Sequence, residues 1–191
     1  MSRFVALLII TLVLSAAAAA QEHTRRPPTN PAPNSNPSNG ADDLGWVRFN
    51  SDLGRFTVLM PEIPTDKTET TPSEHGPYTT HLFIVKDTAN VYLIGWVDYD
   101  PSFNFNRQSE LEANRDNFVK GIKATLVSTR PLQIDGYSAI EFVAETADRV
   151  FKSRVYMVGR RPYQIVIGYP KDSPDASVVN KFFGSFKVRV N

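Results

Sequence analysis

LVSTRPLQIDGYSAIEFVAETADRVFKSRVYMVGRRPYQIVIGY, residues 126–169, decides the fold. It divides into three β-rich runs, Leu126 to Ile134, Tyr137 to Glu145 and Val150 to Gly159, and a fourth from Pro162 to Tyr169. Asp135-Gly136 between the first two is a two-residue hairpin turn, since glycine accepts the positive φ that such a turn demands. Ile140, Phe142 and Ala144 alternate with Glu141, Val143 and Glu145, which gives one buried face and one mixed face. The turn at Gly159 to Arg161 then brings the fourth run back beside the third.

Working outward, Trp46 to Phe49 and Arg55 to Met60 form a hairpin across the turn-formers Asn50 to Gly54, and Pro61 and Pro64 end its second strand. Tyr78 to Val85 and Val91 to Tyr99 flank the polar stretch Lys86 to Asn90 as a second hairpin, closed by Asp100-Pro101. The period changes from Ser109 to Lys120, where Leu111, Phe118 and Ile122 fall on one side and Asn114 and Arg115 on the other. This predicts an amphipathic helix capped by Ser109, with Glu110 and Glu112 at its positive end and Lys120-Gly121 as its stop. A last helix starts with Ser173 as N-cap and Pro174 at the first position, buries Val178, Val179, Phe182 and Phe183, and ends at Gly184. Phe186, Val188 and Val190 close the chain in period two. The order predicts an α+β domain, a twisted antiparallel sheet covered by helices.

The first twenty residues read as a secretory signal peptide. Arg3 precedes an apolar run from Phe4 to Leu14, and Ala18-Ala19-Ala20 is small enough for cleavage before Gln21. One arginine is not a twin-arginine signal, and 0 Cys leaves no thiol for a lipid anchor. The mature protein is therefore expected in the periplasm or outside the cell, with no stable membrane anchor. Residues 21–44 contain Pro27 to Gly40, where 9 of 14 residues are Pro or Asn, a composition that makes a spacer and not a core. Residues 45–191 are then one domain, long enough to fold without a covalent staple. Without Cys there are no disulfides, thiol nucleophiles, thiolate zinc sites or iron–sulfur clusters. Loss of Arg3 from the 21 basic residues leaves 20 against 20 acidic ones, a balance that argues against nucleic acid or anionic membranes as partners.

Several of these stretches resemble the PsbP-like and Mog-type domains. They are Gly54 to Pro61, the helix after the long central hairpin, Asp135-Gly136-Tyr137 leading to Glu141, Arg154 to Ile165, and Phe182 to Phe186. The resemblance spans about residues 45 to 191 and implies a central antiparallel sheet flanked by helices, an α/β/α sandwich. Relatives by fold include an extrinsic lumenal subunit of the photosynthetic oxygen-evolving complex and nuclear proteins that bind the GTPase Ran. For this chain the resemblance implies a non-catalytic, exported interaction domain of the bacterial sort, which binds another exported protein or an envelope component.

The residues carry no catalytic signature. His75 and His81, with Glu69 or Glu74, lack the spacing of a zincin, so no metal site is expected. Asp98 and Asp100 bracket Tyr99 and point the same way if extended, but paired acids at a strand end also serve local backbone bonds. Gly136-Tyr137-Ser138-Ala139 lacks the second glycine of a nucleophile elbow. No glycine-rich loop leads from a strand into a helix, so no phosphate-bearing cofactor is expected. Two sets remain. Arg149, Arg154, Arg160 and Arg161 with Tyr156 and Tyr163 lie on adjoining strands, and Arg160-Arg161 at a hairpin tip suits a carboxylate, phosphate or anionic polysaccharide. Trp96, Tyr99, Phe103 and Phe105 are candidates to line an aromatic cleft for a small ligand. A hydrolase built on Asp98, Asp100 or His81 is the remaining alternative.

Overall fold

Asp135 and Gly136 both lie in the left-handed region, with φ of 52° and 81°, and the strands they join pair Ile134 with Tyr137. The computed structural model describes residues 45–104, 106–172 and 175–189. The proposed signal peptide, the spacer, Phe105, Ser173, Pro174 and Val190 lie outside the described residues.

Ten strands and two helices are described: β1 (Val47–Ser51), β2 (Phe56–Met60), β3 (Thr65–Thr71), β4 (Tyr78–Lys86), β5 (Val91–Tyr99), α1 (Arg107–Gly121), β6 (Thr125–Ile134), β7 (Tyr137–Glu145), β8 (Arg149–Val158), β9 (Arg161–Pro170), α2 (Ala176–Ser185) and β10 (Lys187–Val188). Seven strands form one antiparallel sheet in the order β3-β4-β5-β9-β8-β7-β6, and β1, β2 and β10 form a small second sheet. β5 and β9 are central and buried along nearly their whole length, so they read as continuous apolar runs.

Alternation divides the large sheet into two buried faces. Leu93, Val166, Val155, Phe142 and Ile140 meet Leu111 and Phe118 of α1 and Ile122 just beyond it. Ile94, Trp96, Tyr163, Ile165 and Tyr156 face the other way, against Phe56 and Met60 of the small sheet and Phe182 and Phe183 of α2. The architecture is mixed α+β, as read, but dominated by sheet. Each face receives one helix, and β1 and β2 bury large side chains where a helix-flanked sandwich would carry more helix.

Local corrections have local causes. α1 starts earlier than read because Asn106, not Ser109, accepts from the free N–H groups of Gln108 at 2.9 Å and Ser109 at 3.2 Å. Asn114 is buried, not solvated: its Nδ2 donates to the Glu110 carbonyl at 2.9 Å and to Glu110 Oε1 at 3.0 Å. Gly121 stays helical, and the positive φ beyond the helix falls on Lys123. In α2 the cap is Asp175, which accepts from Ser177 at 2.9 Å and Val178 at 3.3 Å. The helix runs through Gly184 to Ser185, whose hydroxyl accepts from Leu59 N of β2 at 3.0 Å. β3 was not anticipated. Its seven residues, TDKTETT, hold no apolar side chain and pair with β4 as a charged edge.

Candidate functional site

β5 and β9 pair only as far as Trp96 with Tyr163. β5 then continues with β4 to Tyr99, while β9 continues with β8 to the Gly159-Arg160 turn. Pro162 has no N–H to give a ladder at the point where the two strands part. The parted ends leave a cleft of about 480 Å³, lined by Val97, Asp98, Tyr99 and Pro101 on one side and Val158, Arg160, Arg161 and Tyr163 on the other. Arg55, Val188 and Arg189 of the small sheet complete it.

Arg161 bridges the gap. Its Nε donates to Asp98 Oδ1 at 2.7 Å, its Nη2 reaches the same oxygen at 2.5 Å, and its Nη1 donates to the Leu53 carbonyl at 3.0 Å. Asp98 Oδ2 accepts from Trp96 Nε1 at 3.1 Å and lies 3.3 Å from His81 Nε2. His81 is stacked on Trp96, with centroids 4.3 Å apart and planes 9° apart, and its Nδ1 is 3.1 Å from Thr68 Oγ1. These contacts fit the tautomer with the proton on Nε2, and they form one chain from the β3 edge through β4 and β5 to β9. Burial disfavours the charged carboxylate of Asp98, but the hydrogen bond from His81, the charge and bonds of Arg161 and the Trp96 bond together outweigh it and hold the carboxyl below its usual range.

Arg160 reaches the loop after β5, where its Nη2 donates to Phe103 O at 2.6 Å and lies 3.3 Å from Asp100 O. Asp100 turns into that same loop and accepts from Ser102 N at 2.9 Å. The two aspartates therefore serve different partners. Arg189 Nη2 donates to Ser51 O and Asp52 Oδ1, both at 2.8 Å. Gly54 sits so close to the Phe56 ring that a Cβ there would lie 2.5 Å from it, and its carbonyl accepts from Tyr163 Oη at 2.9 Å. Next to it Arg55 takes φ of 52°, and its guanidinium makes no hydrogen bond or ion pair to another described residue.

The solution structure of cyanobacterial PsbP (CyanoP) from Synechocystis sp. PCC 6803 matches with a TM-score of 0.52 over 74% of this chain and 91% of that one, at 11% identity. The fold is PsbP-like. A crystal structure from Bacteroides thetaiotaomicron, at 1.50 Å resolution, aligns at 15% identity over 75% of this chain and 48% of that one, with a TM-score of 0.34. No family model matches the sequence, and no curated protein matches it.

Within this PsbP-like domain the expected aromatic cleft is not formed by the described residues. Trp96 belongs to the core beneath the small sheet. Tyr99, three residues on, faces the other way, and Phe103 packs on it at 4.9 Å and on Tyr78 at 6.3 Å. Arg149 and Arg154 are likewise separated from the Arg160-Arg161 tip. Arg149 donates to Ala89 O at 2.5 Å, and Arg154 donates to Glu141 at 2.8 Å while lying 4.6 Å over the Phe183 ring. His75 lies beside Glu74 at 3.1 Å and is not in the His81 chain. Arg55 and Arg189 were missed in the sequence because they come from segments far apart along the chain.

On the opposite face Glu110 is buried and accepts from Tyr99 Oη at 2.5 Å. Burial pushes its carboxyl above the usual range despite the hydrogen bonds of Tyr99 and Asn114. Because the folded value is the higher one, this group adds stability as pH falls through it, and the gain is complete below the unfolded value. Glu110→Gln removes that acid-side gain. Thermal unfolding followed from pH 7 to pH 4 should show a rise in wild type relative to the variant, with the two within about 1 kcal/mol at neutral pH; parallel curves would contradict it.

Proposed function

We propose that this is an exported, non-catalytic accessory domain that docks an acidic partner protein at the arginine-lined cleft where β5 and β9 part. The carrying observation is that four guanidiniums from three separated stretches, Arg55, Arg160-Arg161 and Arg189, line one cleft whose sole lining carboxylate among the described residues is Asp98. Clustered fixed guanidiniums favour acidic surfaces, steer their approach and weaken with salt. The leader-like residues 1–20 support the exported location, and a near-neutral chain with a local basic cleft is selective for a local acidic feature.

A photoreactive residue at Leu53, which is 61% exposed on the turn beside the cleft, tests this in cells making the full chain. A discrete adduct is expected from the exported fraction, reduced about tenfold by Arg55→Glu, with none from the exposed position Glu112 on α1. Equal adducts from both positions would refute docking at the cleft.

A further inference from the structure

Resting on the docking reading, we propose that the cleft is a binding site for a single carboxylate borne on a branched aliphatic body, with Arg55 as the group that recognises it.

The charge at the cleft selects a monoanion. Arg161 is matched by Asp98 and Arg189 by Asp52. Arg160 is held by loop carbonyls and feels the nearby charge of Asp100. Of the four guanidiniums, that leaves Arg55 with no acidic partner among the described residues. One planar fork matches one carboxylate with two parallel N–H donors.

The backbone gives a second, independent pointer. Arg55 holds φ of 52°, a conformation that favours glycine, at the position after Gly54. Its carbonyl accepts from Arg189 N at 2.7 Å and its own N–H donates to Asp52 O at 3.2 Å, while the side chains of Ser51, Arg161 and Tyr163 bond the rest of the turn, so the Arg55 side chain is not among the groups that hold it. Glycine would serve the turn equally well. The turn does not call for an arginine, and its guanidinium is exposed at the cleft, where it can meet a ligand. Beside it Val158 and Val188, both part-exposed, supply apolar lining within the same cleft, next to Arg161 and Tyr163. A branched aliphatic group fits such walls, while its carboxylate faces the guanidinium. The C-terminal residue of a polypeptide and a free branched acid offer the same chemistry.

The test uses protein purified from the exported fraction, with amide chemical shifts followed by NMR. The probes are N-acetyl-leucine, N-acetyl-leucinamide, inorganic phosphate, and a pentapeptide ending in leucine with a free or amidated terminus. N-acetyl-leucine is expected to move the signals of Arg55, Val158 and Val188. Binding should weaken about tenfold or more when the carboxylate is amidated and in Arg55→Gly, which should unfold at the same temperature or higher. Tighter binding of the free-terminus peptide than of N-acetyl-leucine assigns the site to a chain end, and equal binding assigns it to a free acid. Undiminished binding of the amides, undiminished binding by Arg55→Gly, or equal competition by phosphate overturns the proposal. If no carboxylate binds while the Leu53 adduct still forms, the carboxylate site falls and the docking reading stands. If carboxylates bind and no adduct forms, the docking reading falls and the carboxylate site stands.

Discussion

Replacing Phe56 with alanine is expected to lower the unfolding free energy by about 3–5 kcal/mol. The ring is fully buried and stands at the junction of the two sheets. Its centroid lies 5.4 Å from Phe186, 5.9 Å from Trp96, 6.5 Å from Tyr163 and 6.1 Å from Phe49. Truncation removes the transfer free energy of the ring and leaves a cavity among aromatic groups fixed by two separate sheets, which cannot close in together. Chemical denaturation should show a lower midpoint at unchanged slope. Val127→Ala, on the exposed edge strand β6, should stay within about 0.5 kcal/mol of wild type. A loss of less than about 1 kcal/mol for Phe56→Ala would mean that the small sheet adds little to the fold.

Asp98→Asn is expected to move stability and anion binding in opposite directions. The carboxylate takes two bonds from Arg161, one from Trp96 and the contact of His81. An amide of the same shape keeps one acceptor oxygen, loses the charge and gives its nitrogen to a place that needs an acceptor. Both Asp98 and Arg161 are partly exposed, at 35% and 22%, so water softens the loss to about 1–2 kcal/mol. The pH dependence has a definite sign. The folded carboxyl is held below its unfolded value, so its stabilisation is present above the unfolded value and lost as pH falls through the folded one. Acid unfolding of wild type should therefore contain a component that Asp98→Asn lacks. Meanwhile the variant leaves Arg161 uncompensated in the cleft, and affinity for an anionic ligand should rise by severalfold. Unchanged acid unfolding together with unchanged anion affinity would remove Asp98 from the account.

Much of the fold was legible wherever a local rule had no competitor. Asp135-Gly136 fixes the β6–β7 hairpin, and alternation along β7 sorts Phe142 and Ala144 from Glu141 and Glu145. β3 was not legible, because an edge strand over a polar rim needs no apolar residue, and TDKTETT carries none. Asn114 was misplaced because polarity stood for exposure. Its amide instead joins the Tyr99 hydroxyl in bonding the buried Glu110 carboxyl. The site was partly legible: Arg160 and Arg161 were singled out for their hairpin tip, and Asp98 and His81 as candidate chemistry. What joins them to Arg55 and Arg189 is the parting of β5 from β9 and the placement of the small sheet, neither of which leaves a local mark in sequence. Among the described residues the aromatic cleft does not assemble, for a reason that strand parity contains, since Trp96 and Tyr99 are three residues apart and face opposite ways.

The central claim, that the parted end of β5 and β9 is where an acidic partner docks, is tested most directly by mapping the amide shifts caused by an acidic decapeptide at low and moderate salt. The account predicts perturbations confined to Arg55, Val97, Val158, Arg160, Val188 and Arg189, fading as salt rises. Perturbations centred instead on Arg130, Lys152 and Arg154, the cations grouped around Glu141, would contradict it.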